Sequence, residues 1–309
     1  MKYSEVQNEK LSLPQLTSNK VTKFIGKGIV KNLKHDRSLE IEAKIKSFYN
    51  YQNSSIMKDQ FYNSEKQIQN SIAENNNGFS QKNKKNTQFL ISFSFDDNYR
   101  LTYDFSENIF ILETKEQNSQ ENTLKVTCQD AVINVSRKEE IQIEDQEIID
   151  GYMLKLKKSQ YSTIRIKLRR NYQKEFIQIS FSEVIQAQNK RFEYQSQKSE
   201  KQQQQQYILE TVQCFVNCYF ANKLTKQIQN ELLSYFFQQK YQLLIVYEIE
   251  AEMVELYEYF HEIVEKKDTQ LIQKKINLFY ESVNQIICWS GLNRYQHPAI
   301  LGGYLIFKQ

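Results

Sequence analysis

Leu39-Glu40-Ile41-Glu42-Ala43-Lys44-Ile45-Lys46 alternates apolar and charged residues without a break. A period of two puts Leu39, Ile41, Ala43 and Ile45 on one side of a strand and Glu40, Glu42, Lys44 and Lys46 on the other, as in a half-buried strand. The same rhythm returns in Phe89, Ile91, Phe93 and Phe95. Asp96-Asp97-Asn98 then supplies turn chemistry, and Leu101, Tyr103 and Phe105 resume the alternation. This predicts a β-hairpin with a loop somewhat longer than two residues. Further short strands are expected at 109–112, 124–128, 132–135, 141–143, 153–156, 164–168 and 176–181. About ten strands with polar turns between them predict an antiparallel sandwich or barrel.

The segment 50–87 interrupts this region. It is rich in Asn, Gln, Ser and Lys, and reads as a disordered insertion with one short helix near 57–72. After a Gln/Lys-rich stretch the period changes. Ile208, Val212, Phe215 and Tyr219 share a helical face, as do Leu224, Ile228, Leu232 and Phe236. Ile249, Met253, Leu256, Phe260 and Ile263 also fit helical spacing, and Leu271, Ile276, Phe279, Val283 and Ile286 form another stripe. The expected fold is therefore α+β, an N-terminal antiparallel β-sandwich or barrel followed by a C-terminal α-helical bundle. Its divisions are a flexible N-terminus (1–18), a β domain (19–185), a linker (186–206) and a helical domain with an apolar tail (207–309).

The bulk composition sets limits. Of 309 residues, 40% are hydrophobic, with 20 Tyr and 19 Phe, which excludes a wholly disordered chain. Seven Gly and two Pro exclude collagen and make Gly-rich phosphate loops scarce. The net charge of +4 is unevenly spread: 12 Lys and Arg face 4 Glu over 151–201, a local +8, and 3 Lys face 9 Glu over 207–265, a local −6. No apolar run approaches the ~20 residues of a membrane span, and the start of the chain lacks a secretory pattern. An intracellular protein of nucleus or cytoplasm is expected. Cys128, Cys214, Cys218 and Cys288 then read as reduced core thiols.

No motif argues for catalysis. Gly26-Lys27-Gly28 fails both the dinucleotide fingerprint and the P-loop. Glu258 and His261 make one Glu-x-x-His, half of a di-iron ligand set. His35, His261 and His297 are far apart, with no nucleophile elbow beside them. No catalytic, cofactor-binding or metal-binding residue is assigned, no cofactor is expected, and the chain reads as a non-enzyme.

The strongest positive feature is Thr163-Ile164-Arg165-Ile166-Lys167-Leu168-Arg169-Arg170. As a strand it sets Arg165, Lys167 and Arg169 on one face. If the residues around Lys155 and Lys157 pair with it as a second strand, five cations share that face: Lys155, Lys157, Arg165, Lys167 and Arg169. Such a face attracts an anionic partner; the blander alternative is a solvated outer sheet face. The expected function is a non-catalytic protein-interaction subunit, a scaffold or adaptor, of a larger intracellular assembly, with other protein subunits as partners. The alternative is a nucleic-acid-binding protein that uses the basic β face and the helical domain for assembly. Membrane docking through the same cations ranks below both.

Overall fold

The computed structural model describes residues 39–47, 56–74, 79–80, 87–115, 123–128, 131–189, 200–223, 226–237, 245–254, 266 and 268–292. Among the described residues there are nine strands: β1 (Leu39–Ser47), β2 (Thr87–Ser94), β3 (Tyr99–Asp104), β4 (Ile109–Lys115), β5 (Thr123–Cys128), β6 (Ala131–Gln142), β7 (Thr163–Lys174), β8 (Ile177–Gln188) and β9 (Ile245–Met253). The described residues also form five helices: α1 (Lys58–Ala73), α2 (Gln146–Lys157), α3 (Glu200–Phe220), α4 (Lys226–Phe237) and α5 (Thr269–Trp289).

All strands belong to a single antiparallel sheet in the order β1-β9-β8-β7-β2-β3-β4-β6-β5. A further antiparallel ladder joins β1 to β6 from Leu39↔Glu139 to Ser47↔Ala131. That ladder closes a ring of eight strands, with β5 lying beside β6. Ring closure gives the sheet an outer and an inner face, and alternation along each strand distributes side chains between them.

The outer face is apolar and carries the helices. Ile41, Ala43 and Ile45 on β1, Ile164, Ile166 and Leu168 on β7, and Tyr247, Ile249 and Ala251 on β9 are buried there. Phe61 of α1 sits 5.5 Å from the Phe181 ring and 5.1 Å from Tyr247. Phe215 of α3 lies 5.2 Å from Tyr103 and 5.4 Å from Phe105. Phe236 of α4 meets Phe89 edge-on at 6.3 Å. Tyr152 of α2 stacks on Tyr99 at 4.5 Å. These aromatic pairs bring large apolar areas and preferred geometries to one continuous core.

Two expectations are corrected here. The chain is not a β domain followed by a helical bundle. The fold is α+β, but β9 comes from the stretch read as helical and is inserted between β1 and β8. The misreading has a plain cause: Ile249 and Met253 are four apart, which satisfies a helical stripe and a strand face alike. Likewise, the expected strand at 153–156 lies in helix α2. Asp145 caps that helix, its carboxylate accepting from the Glu147 and Ile148 amides at 2.9 and 3.3 Å. Tyr152 and Leu156, four apart, are its buried stripe.

Other expectations meet the structure piecemeal. The hairpin is present as β2 and β3, with Asn98 in the turn at φ 67°. The short helix expected near 57–72 within the insertion is present as α1. Cys214 and Cys288 are exposed rather than core thiols, and no disulfide links them to Cys218. Residues 1–38, Glu258, His261 and the apolar tail at 297–307 lie outside the described residues. Among the described residues, no helix is long and apolar enough to cross a membrane.

Candidate anion-binding interior

The inner face is built from the charged half of each alternation. Register places Lys44 beside Glu250 and Glu42 beside Glu252. Glu250 lies beside Ser180 and Glu248 beside Ser182. Ser182 in turn lies beside Arg169, Val184 beside Lys167, and Gln186 beside Arg165. Three strands thus bring carboxylates and cations to the inside of the ring from positions up to about 200 residues apart.

The contacts form one continuous network. Lys44 Nζ is 2.6 Å from Glu250 Oε1 and 3.1 Å from Glu42 Oε1. Arg169 Nη2 donates to Glu250 Oε2 at 3.0 Å. Arg165 Nη2 donates to both Glu248 oxygens, at 2.7 and 2.9 Å. Lys167 Nζ stands between them, 3.6 Å from Glu248 and 3.9 Å from Glu250. Arg165 and Arg169 reach across β8 to β9 to make these contacts. The opposite wall is milder. Ser92 and Thr102 hydroxyls pair at 3.0 Å, and Arg100 is held by Glu113 at 2.6 Å.

Burial shapes the charge states. Burial raises the Glu250 carboxyl, but Lys167, Lys44 and Arg169 outweigh it and hold Glu250 well below the usual carboxylate range. Lys44 is pushed the other way: burial lowers it, while Glu250, Glu42 and Glu248 more than compensate and keep it firmly charged. Lys167 is the exception. Burial lowers it to about 8, with Arg169 and Arg165 adding to the fall and Glu250 opposing it. A cation crowded by two other cations gains when a further anion arrives.

Some buried polar atoms here have no hydrogen-bond partner among the described residues. Among them are Arg165 Nε, Arg169 Nε and Ser182 Oγ. Buried donors without acceptors are costly, and in a native structure each calls for a ligand or a water. Two guanidinium edges and a hydroxyl facing a shared interior are suited to phosphate oxygens.

Of the five cations proposed from the sequence, the structure brings three together: Arg165, Lys167 and Arg169. They face the inside of the ring and not an outer surface. Lys155 and Lys157 do not join them, because both sit on α2. Lys155 Nζ instead ion-pairs Asp97 at 2.8 Å and lies 4.1 Å above the Tyr152 ring. Lys157 lies over Phe220 at 5.6 Å. The residues the sequence reading missed are Glu248 and Glu250. Their signal was present in Tyr247-Glu248-Ile249-Glu250-Ala251-Glu252, a strict alternation with three carboxylates on one side. Glu42 and Lys44 were recognised as the polar face of a strand, without a role. Among the described residues, no group of three or more His, Cys, Asp or Glu side chains is arranged to hold a metal ion.

No family model matches this chain, and no curated protein matches its sequence. Solved structures do match. The RNA triphosphatase Pct1 of S. pombe aligns with a TM-score of 0.51 at 12% identity, over 92% of this chain and 98% of that one. The same enzyme in complex with the Spt5 CTD aligns at TM-score 0.51 and 12% identity, over 93% of this chain and 98% of that one. The likeness spans nearly the whole of both chains and shows a shared fold. It also corrects the expectation of a non-enzyme, which rested only on missing motifs, because an RNA triphosphatase has this fold. Sandwich and helical bundle, as descriptions, fall with the single nine-stranded sheet.

Proposed function

We propose that this chain is a phosphohydrolase that acts on the 5′-triphosphate end of RNA inside the strand ring. The observation that carries the reading is the inward cluster of Lys44, Arg165, Lys167 and Arg169, threaded with Glu42, Glu248 and Glu250. The shared fold with an RNA triphosphatase supports it. Catalysis of phosphoryl transfer is mostly positioning and charge stabilisation, and this cluster offers both.

The chemistry follows from the arrangement. Arg165, Lys167 and Arg169 hold the phosphate oxygens and stabilise the charge that builds as the bond breaks. A water attacks the γ-phosphorus, and the bond from that phosphorus to the β–γ bridging oxygen breaks. The bridging oxygen keeps the electron pair, and the water's proton leaves to solvent. The products are orthophosphate and a diphosphate-ended RNA. Glu250, held ionised by its three cations, orients Lys44 and Arg169. Glu42 and Glu250, which share Lys44, supply hard oxygen donors, and one or two carboxylates with substrate phosphates suffice for a Mg²⁺-type ion. Such an ion would supply charge neutralisation at the phosphates. Glu42 and Glu250 are the residues that would hold it.

The nucleic-acid partner expected from the basic strand thus keeps Arg165, Lys167 and Arg169, but as contacts to a chain end and not to a long strand. A protein partner is a second reading, favoured by the Spt5 CTD complex of the structural neighbour. The direct test uses RNA labelled at the γ-phosphate and measures orthophosphate release with Mg²⁺ or Mn²⁺, for the wild-type chain and for Arg169→Ala. Release by the wild type that falls about 100-fold or more in the variant is expected. No release by the wild type under either metal removes the proposal.

A further inference from the structure

A second charged cluster lies on the outer face, directly behind the first. Arg170, next to the inward Arg169 on β7, points outward. Its Nε donates to Glu65 Oε1 of α1, and its Nη2 reaches Glu65 Oε2 at 3.0 Å and Glu183 Oε1 of β8 at 2.9 Å. Tyr172 OH donates to Glu65 Oε1 at 3.0 Å, and Gln69 Nε2 donates to Tyr172 OH at 2.9 Å. Glu65, Glu183 and Tyr172 are buried. The guanidinium also lies 5.8 Å over the Phe61 ring. Burial lowers Arg170, and Glu65 and Glu183 more than reverse this, so it stays charged.

The location of these charges needs a reason. The α1 contact already has Phe61 and Ile68 fully buried in the core. A buried ion-pair network is weak evidence for stability, since apolar side chains of similar volume often do as well or better. What a fork of fixed hydrogen bonds does supply is geometry. Arg170 pairs with Phe181, and Arg169 with Ser182, in the same β7–β8 ladder. Side chains alternate across a strand, so an outer side chain fixed at three points also fixes the pleat from which its neighbour points inward.

We infer that Arg170, clamped by Glu65 and Glu183, is a positioning residue that sets Arg169 and Ser182 in the ring interior for the phosphate they hold. The inference rests on the function proposed above and adds a residue that touches no substrate. The α1 segment then does more than cover the sheet: it reaches the site through Glu65.

The test compares two variants with the wild-type full chain. In Glu65→Leu/Arg170→Met/Glu183→Leu the three charged members of the network become apolar, so no buried charge is orphaned. Arg170→Lys keeps the charge and loses the fork. Each is read by melting temperature, by the melting shift that inorganic tripolyphosphate induces, and by kcat and KM for triphosphate-ended RNA. The expected result for the triple variant is an unchanged or higher melting temperature with kcat lowered about 10- to 100-fold, the scale of a small misplacement at a reacting centre. Arg170→Lys is expected to lose at least tenfold in kcat at a temperature where it remains folded. Wild-type kcat in either folded variant overturns the inference while leaving the triphosphatase reading intact. A wild-type chain that neither binds tripolyphosphate nor cleaves triphosphate-ended RNA overturns both.

Discussion

The two charged clusters of this protein share a strand and differ in completion. On the outer face, both Arg170 donors that contact carboxylates are part of a closed set with Glu65, Glu183, Tyr172 and Gln69. On the inner face, Arg165 and Arg169 each commit one nitrogen to a glutamate and leave a buried Nε unbonded, with the Ser182 hydroxyl idle between β7 and β9. Both clusters use the same residue types at similar distances. Saturation marks the one that holds structure, and unmet donors mark the one prepared for a ligand.

The largest expected effect would break the outer cluster alone. Arg170→Met leaves Glu65 and Glu183 buried without their common cation, and should cost roughly 3–5 kcal/mol of stability, read as a lowered urea midpoint. The inner counterpart sharpens the contrast. Arg169→Met leaves Glu250 with Lys44 and Lys167, so the urea midpoint should move less than it does for Arg170→Met. Equal destabilisation by the two substitutions would show that completion does not separate the clusters.

A smaller effect tests the crowding of inner cations. Lys167 falls to about 8 in the folded chain from its ordinary 10.5. Between those values the unfolded chain binds the proton and the folded chain does not, so stability should rise with pH across that window. The rise should vanish in Lys167→Met, measured as the difference between the two proteins in chelator-treated buffer. A wild-type curve that falls with pH relative to the variant would mean that the carboxylates dominate Lys167.

The smallest effect is expected at the tip of the β2–β3 hairpin. Although burial opposes it, the Lys155 and Tyr152 hydrogen bonds hold the Asp97 carboxyl below its usual range. Its contribution is therefore present above the unfolded carboxyl pKa and is lost as pH falls through the folded one. The pair is largely exposed, so Lys155→Ala should cost less than about 1 kcal/mol and leave phosphate release unchanged. Loss of phosphate release in that variant would return Lys155 to the anion site.

Part of the site was legible in the chain. The alternation in 163–170 correctly groups Arg165, Lys167 and Arg169 on one face, because a period of two is a local property of any strand. Which face that is was not legible, since an open sheet exposes its polar side and a closed ring encloses it. Lys155 and Lys157 were misplaced because Leu154 and Leu156 also alternate with them, and only the Asp145 cap and the buried Tyr152–Leu156 spacing reveal the helix. Glu248 and Glu250 were hidden by Ile249 and Met253, whose spacing suits both periods.

By itself the sequence determined the strand patterns at 39–45, 89–95, 101–105, 164–168 and 176–181, the helix near 57–72, the helical stripes through Ile208, Ile228 and Ile276, and the segregation of charge from apolar residues along each strand. Those are consequences of local periodicity. The tertiary structure decided that β9 enters between β1 and β8 and that β1 meets β6. Only that closure turns three separate polar strand faces into one interior, because carboxylates and cations some 200 residues apart become neighbours through backbone ladders that no local pattern encodes.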